Sequence, residues 1–239
     1  LDSNTTGSNN TAFGLNALTA NSTGTTNTAI GALSLENTTA SNNTALGYRS
    51  LRANTSGSYN VGVGVDALIG NTSGVQNTAV GGLALGSNVS GNGNTALGYG
   101  TLGTSQGSNN TALGNRALQV LASGSANVAV GTNSLQNNTA SNNTAVGFEA
   151  GFSNTSGTGI TAIGYQALRV STGSNNTALG NSALVSNTTG SNSTAVGLNA
   201  LKTNISGRNN VAVGTNALVC NTTGTCNVAI GNYALQYGN

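Results

Sequence analysis

The chain has 239 residues, of which only 4% are charged and 4% aromatic, and its formal net charge is +2. This composition lacks the high net charge of a typical disordered chain. The few basic residues are scattered and form no stripe that could neutralise nucleic-acid phosphates. No apolar run approaches the ~20 residues of a membrane-spanning helix, so we expect no membrane insertion of this segment.

One repeat unit fills the chain, with the consensus Asn-Thr-Ala-aliphatic-Gly-x-x-Ala-Leu-x-x-Asn-Thr-Thr/Ser-Gly-Ser-x and a spacing of 16 or 17 residues. A fixed period of this kind is the sequence signature of a repeat architecture. The sequence therefore predicts a single repeat array over residues 1–239. Its coils start at Asn10, Asn27, Asn43, Asn60, Asn77, Asn94, Asn110, Asn127, Asn143, Ile160, Asn176, Ser193, Asn210 and Asn227.

Each unit opens with a short segment, Asn-Thr-Ala-aliphatic-Gly, that predicts a β-strand. Side chains alternate along a strand, so the Thr and the aliphatic residue share one face. We expect that face to be buried and the Ala to point toward a partner surface. The predicted core ladder consists of Ile30, Leu46, Val63, Val80, Leu97, Leu113, Val130, Val146 and Ile163.

The rest of each unit holds an Ala-Leu pair, whose Leu should point inward, and an Asn-Thr-Thr-Gly turn. Gly151 interrupts the Leu series, and we expect Phe152 to take its place. Two strands and two turns in 16 or 17 residues predict one coil of an all-β parallel β-solenoid, about fourteen coils in all. Two aliphatic side chains per coil contribute roughly 3–6 kcal/mol, whereas ordering the coil costs on the order of 17–34 kcal/mol. Neighbouring coils must therefore stabilise one another, and the thin core favours oligomerisation.

The Asn-Thr-Ala-aliphatic-Gly-x-x-Ala-Leu pattern resembles the head repeats of trimeric autotransporter adhesins, and more closely the repeat arrays of phage tail-fibre-type proteins. The similarity extends from Asn10 to Gly231. It implies a left-handed β-roll, a homotrimeric rod, and an extracellular, cell-surface or virion location. The implied function is attachment to a host cell or surface. The unit is longer than the adhesin unit by one turn, and Thr often replaces the first aliphatic residue.

Two further functions stay open beside the adhesive fibre. Copies stacked end to end through unpaired strand edges would form a self-assembling extracellular filament. A ladder of Thr hydroxyls could instead bind ice, although Thr is expected to point inward here. The chain begins within a turn and stops within a unit, which favours an excised segment or a subunit completed by a neighbour.

The variable pair after each Gly holds most aromatic and many charged residues. Aromatic and Arg side chains on an exposed stripe are suited to binding a glycan or receptor, and ordinary solvent-facing variation is the alternative. The candidate stripe consists of Tyr48, Arg49, Tyr99, Arg116, Phe148, Tyr165 and Tyr233.

Cys220 and Cys226 flank one turn, and we predict a disulfide across it, with free thiols as the alternative. Asn-x-Thr/Ser sequences recur at the turns, for example at Asn54 and Asn71. They are either glycosylation sites or simply good turn sequence.

The chain has few residues suited to catalysis, because it has no His and no two carboxylates lie close together in the sequence. We therefore predict that the chain is not an enzyme and has no cofactor or metal. The segment 98–103 matches Gly-x-Gly-x-x-Gly, but no helix is expected after it, as a dinucleotide site would need.

Overall fold

The computed structural model describes residues 1–237, and no helix occurs among them. The protein is an all-β solenoid of fourteen short parallel strands. Each strand is the Thr/Val-Ala/Gly-apolar segment of one repeat unit. The strands are β1 (Thr11–Phe13), β2 (Thr28–Ile30), β3 (Thr44–Leu46), β4 (Val61–Val63), β5 (Thr78–Val80), β6 (Thr95–Leu97), β7 (Thr111–Leu113), β8 (Val128–Val130), β9 (Thr144–Val146), β10 (Thr161–Ile163), β11 (Thr177–Leu179), β12 (Thr194–Val196), β13 (Val211–Val213) and β14 (Val228–Ile230).

The chain divides into two compact units, Leu1–Ser123 and Gly124–Asn239. In the first unit β1 to β7 pair in chain order, and in the second β8 to β14 do the same. Every one of these pairings is parallel and in register, so equivalent residues of successive coils form straight columns. The predicted closure of one coil per repeat unit is therefore confirmed.

The orientation that we predicted for the strand residues is wrong. The middle residue of the strand points inward, and Ala45, Ala79 and Ala96 have no solvent-exposed surface. The apolar third residue points outward. The residues of the predicted core ladder are half-buried or exposed instead: Ile30, Leu46, Val63, Val80, Leu97, Leu113, Val130, Val146 and Ile163.

The physical reason is the width of the coil interior. A Cβ placed on Gly62, the one Gly in the middle-residue column, would lie 2.6 Å from Ser50 Oγ and 3.3 Å from Leu51 Cγ. The opposite wall of the coil thus leaves room for no more than a methyl group, because protein interiors are close-packed. The strict size limit at this place comes from the core and not from a partner surface.

The Leu of the Ala-Leu pair fills the core, as predicted. Leu18, Leu68 and Leu85 are fully buried, and the Ala that precedes each of them is buried too. Leu68 has a φ of 54°, in the left-handed region that Leu seldom adopts. Such a conformation costs about 1–2 kcal/mol, which is comparable to the roughly 1.5–3 kcal/mol gained by burying the side chain.

Two columns of buried Asn complete the core. In the first Asn column, which opens each strand segment, the Asn60 amide donates to the Gly74 carbonyl at 2.8 Å and its Oδ1 accepts the Asn77 N–H at 3.0 Å. In the second Asn column, at the turn, the Asn71 amide donates to Asn54 Oδ1 at 2.8 Å and to Gly74 O at 3.1 Å. Amide ladders therefore replace much of the apolar core of an ordinary domain.

Two places in the coil leave little room for a Cβ. Gly47, which follows the strand, has a φ of 134°, and a Cβ there would lie 2.5 Å from the Gly64 carbonyl oxygen. Gly57, in the turn, would place a Cβ 2.2 Å from the Gly74 carbonyl oxygen. The Gly after the strand is needed for both conformation and space and is present in every coil. The turn place is less strict, because Ala40 and Ala140 occupy it in two of the 16-residue coils.

Coils of 16 and 17 residues stack without a change of register. A 17-residue coil has two residues between its buried turn Asn and Gly, as in Asn54–Gly57, whereas a 16-residue coil has one between the equivalent polar residue and Gly, as in Ser171–Gly173. The strands on both sides of these turns still pair in register. The turn therefore absorbs the difference in length.

Two neighbouring coils exchange core residues where they meet. Gly151 occupies the Leu column, and Ile160 replaces Asn in the first Asn column and is 1% exposed. A Cβ on Gly151 would lie 3.5 Å from Ile160 Cδ1, so Ile160 fills the space that Leu leaves. Phe152 is only half-buried, with the Arg169 guanidinium 5.5 Å above its ring. The prediction that Phe152 replaces Leu is therefore wrong.

Candidate interaction surfaces

The outer sheet face is formed by the first and third residues of each strand. Its aliphatic column is exposed to an extent unusual for such residues, with Leu46 and Leu97 at 45% and Leu179 at 44%. None of the ten charged residues of the sequence lies on a strand. Over seven coils the column presents on the order of 500 Å² of apolar surface, which is near the upper limit for a monomer.

The Thr column of this face differs from the Thr of the turns. Turn hydroxyls are bonded to the neighbouring coil, for example Thr55 Oγ1 to the Thr72 carbonyl at 3.0 Å and Thr72 Oγ1 to the Val89 carbonyl at 3.1 Å. Within residues 1–237, no hydrogen bond involves the strand hydroxyls of Thr28, Thr44 or Thr78. These hydroxyls point to solvent in a column spaced at about 4.8 Å.

Within each unit, the aromatic residues of the candidate stripe lie beside the outer sheet face. Tyr48, Tyr99, Phe148 and Tyr165 are 42–52% exposed. The structure brings Phe148 and Tyr165 together, with ring centroids 5.5 Å apart and 13° between the ring planes. Tyr48 and Tyr99 lie three coils apart and do not touch. Tyr233, on the next column, is 51% exposed.

The two Arg residues of the stripe differ in their partners. Arg49 donates to both carboxylate oxygens of Asp66, at 2.8 and 2.7 Å, and its guanidinium lies 4.9 Å from the Tyr48 ring centroid. The hydrogen bonds to Asp66 raise the pKa of the Arg49 guanidinium. Arg116 is exposed and forms no ion pair within the described part of the chain. Arg116 is thus the member with a free charge.

Two further ion pairs join the variable columns. Arg52 donates to Glu36 and Arg169 to Glu149, each at 2.7 Å. The hydrogen bond from Arg169 holds the pKa of the Glu149 carboxyl below its ordinary value, against a smaller opposing effect of burial. Three of the four acidic residues of the sequence therefore form ion pairs with Arg side chains.

A groove of about 290 Å³ opens on the first unit beside Arg116. Its walls carry Ile69, Leu83, Tyr99 and Gln119 and its floor is rich in glycine. Sequence reasoning missed this site, although the Gly-x-Gly-x-x-Gly segment was a signal for it, because its last two glycines line the groove.

Cys220 and Cys226 are exposed free thiols, so the predicted disulfide is not formed. Their backbone groups are fixed to different neighbours, because the Cys220 N–H donates to the Gln236 carbonyl and the Cys226 N–H to the Arg208 carbonyl.

The turn sequons are not accessible for modification in the folded chain. Asn54 and Asn71 are fully buried, and their amide nitrogens donate to neighbouring oxygens. Attaching a glycan to either nitrogen would require the coil to open. The turn-sequence interpretation is therefore correct for these residues.

Within residues 1–237, no group of three or more His, Cys, Asp or Glu side chains is placed to hold a metal ion. A search of the same residues finds no helix with the length and apolar character needed to cross a bilayer. Comparison with known proteins gives no assignment, since no family model, curated protein or solved structure matches the chain.

Proposed function

We propose that this chain is the structural and adhesive segment of an extracellular fibre, and that several copies associate through the outer sheet face. The observation that supports the proposal is the outward apolar column, seven residues long in each unit, which the monomer leaves half-buried or exposed. The resemblance to trimeric adhesin heads and tail-fibre repeats favours three chains and a cell-surface or virion location.

A second copy of the chain is the occupant that best fits this face. Its columns have one fixed spacing of about 4.8 Å, so two copies laid side by side present matching ridges and grooves along their whole contact. The face carries no charge that association would have to desolvate. Burying its apolar surface adds about 25 cal/mol for each Å² removed from water, which compensates for the thin core of the single chain.

The aromatic and Arg side chains beside this face are the proposed contacts with a host glycan or receptor. They line the edge of the outer sheet face, so association through the sheet leaves them accessible. The sequence has no His, and residues 1–237 hold no cluster of unpaired carboxylates for acid-base chemistry, which supports a binding role over catalysis.

Replacing outward aliphatic residues by Thr tests the proposal. The double variant Val80→Thr/Leu97→Thr keeps a good strand former at both places but removes the methyl groups from the centre of the first unit's column. We expect sedimentation analysis to give trimers for the natural chain and a shift toward monomers for the variant, with unchanged circular dichroism. Val89→Thr, on an exposed turn residue, is the matched control and should stay trimeric. A natural chain that is monomeric at about 100 µM, well above the Kd of a stable oligomer, would refute the proposal; indefinite polymers would favour the end-to-end filament.

Ice binding is the second candidate, because the strand Thr points outward and not inward as we predicted. Free hydroxyls and methyl groups in a flat, regular array can order water in a lattice. This use requires the same face to remain uncovered. A monomeric chain with thermal hysteresis that is lost in Thr78→Asn/Thr95→Asn would support it, whereas an inactive trimer would exclude it.

A further inference from the structure

The groove on the first unit exists because two consecutive coils lack side chains on one wall. Gly86 and Gly103 occupy the column that holds Arg52 and Ile69 in the preceding coils and Gln119 in the next. Gly100 extends the gap into the adjacent column. The result is a notch two coils wide, about 10 Å along the stack, closed at one end by Ile69 and at the other by Gln119 and Arg116.

The charge in this notch is not neutralised. Arg49, Arg52 and Arg169 each hold a carboxylate at 2.7 Å. Arg116 lines the groove with its guanidinium exposed and forms no ion pair within residues 1–237. An exposed planar guanidinium is suited to bidentate binding of a carboxylate.

The other walls provide contacts for the uncharged part of a ring-shaped ligand. Tyr99 is 52% exposed, and its ring lies over Gly82, where an added Cβ would touch it at 3.3 Å. Leu83 and Ile69 add apolar surface, and the Gln119 side chain lies 3.7 Å from the position of a Cβ on Gly100. An aromatic face, a small apolar wall, an amide and a cation form a site for a ring with one C–H face and one carboxylate.

We propose that this groove binds a uronic-acid unit of an acidic extracellular polysaccharide. The pyranose C–H face stacks on Tyr99, the sugar carboxylate accepts hydrogen bonds from Arg116, and the Gly floor lets the ring approach the backbone. A volume of about 290 Å³ is at the small end of ligand pockets, about 300–1,000 Å³, and suits one or two sugar rings. The inference rests on the proposed adhesive function and names its ligand class.

The test is a titration of the whole purified chain with trigalacturonate, with neutral galactotriose as the comparison ligand, followed by amide chemical shifts. Arg116→Gln removes the charge, and we expect affinity for trigalacturonate to fall about tenfold or more, the effect of losing one charge-assisted hydrogen bond. Gly103→Gln fills the floor with the residue type of the next coil. An added Cβ there meets Gly100 O at 3.3 Å and Gln119 O at 3.5 Å, so we expect folding to survive and binding to be lost.

Arg208→Gln is the matched control, because it removes another guanidinium that forms no ion pair within residues 1–237. It should change the affinity less than about twofold, as expected for a charge outside the groove. An equal loss in both Arg variants, unchanged binding in Gly103→Gln, a preference for galactotriose, or no saturable binding would each overturn the proposal. Oligomeric state and cell attachment, measured on the same samples, separate the two proposals: a trimer that attaches without binding trigalacturonate refutes the groove and leaves the fibre.

Discussion

Restoring the consensus residues at Gly151 and Ile160, which lie in neighbouring coils, tests the compensation between these two sites. The variants are Gly151→Leu, Ile160→Asn and the double substitution. Each single change should destabilise the chain, because one overfills the shared space and the other empties it. The double change recreates the Leu and Asn pair of the other coils and should be close to the natural chain in stability.

The contacts give the expected size of each effect. Ile160 is 1% exposed, and its loss leaves a cavity beside Gly151 that costs about 3 kcal/mol, partly offset by about 1 kcal/mol from a new Asn hydrogen bond. In Gly151→Leu the new Cβ would lie 2.8 Å from Leu135 Cδ2 and 3.5 Å from Ile160 Cδ1, and such overpacking costs about 1–3 kcal/mol. The φ of 62° at Gly151 is close to that of Leu elsewhere in the column, so backbone strain adds little.

Urea unfolding followed by far-ultraviolet circular dichroism measures the three free energies. We expect the double variant to lie within about 1 kcal/mol of the natural chain, which corresponds to a coupling of about 2–3 kcal/mol. Asn77→Ile, placed beside the retained Leu68, is the control and should destabilise the chain. Additive effects, with a coupling below about 0.5 kcal/mol, would refute the idea that Ile160 replaces the missing Leu.

Three other substitutions test the core and one ion pair. Leu85→Ala should lower the free energy of unfolding by about 2–5 kcal/mol, since the side chain is fully buried; a loss below about 1 kcal/mol in a urea titration would contradict this. Asn60→Ala should cost about 2–4 kcal/mol, because it leaves the Gly74 carbonyl and the Asn77 N–H without that partner; Ser58→Ala on the same turn is a control expected to stay within about 0.5 kcal/mol. The lowered pKa of Glu149 stabilises the fold above the unfolded pKa and less as pH falls through the folded pKa. Comparing the natural chain with Arg169→Gln at about pH 7 and about pH 3 should show a difference of at most about 1 kcal/mol at the higher pH that shrinks at the lower one.

The period, the parallel stacking and the buried Leu could all be predicted from the sequence. Repetition fixes which residues lie above one another, because each unit closes one coil and successive coils have the same size. What the pattern did not reveal was the orientation of the strand. An aliphatic residue at every coil usually indicates a core, but here Ala79 is inside and Val80 outside, because the interior is too narrow for Val.

The upper size limit at the middle strand residue was interpreted as contact with a partner surface. The middle strand residue is never larger than Ala, and this restriction marks a place enclosed by the chain itself. The Asn at the turn was interpreted as turn sequence and the Asn before each strand as the start of the strand segment, yet Asn54 and Asn60 are fully buried because their amides bond along the stack. The ladder as a whole makes a polar core possible, and no single unit of the sequence indicates it.

The candidate site was predictable only in part. The exposure of Tyr99 and Arg116 followed from their variable positions, and the structure confirms it. The groove between them depends on Gly86 and Gly103 meeting in adjacent coils, which becomes visible only when the units are aligned in space. The free thiols of Cys220 and Cys226 could not be predicted from their spacing around the turn.

The variable length of the turn has a genetic consequence. The turn accepts either one or two residues after its buried polar side chain. Since each coil contacts only the coils beside it, misaligned recombination between near-identical repeats would delete or duplicate whole coils and leave every remaining contact intact. An in-frame loss of one turn residue would also leave the strand pairing unchanged, because coils of 16 and 17 residues stack in the same register. Related genes should therefore differ in the number of repeats more readily than in the residues that face inward.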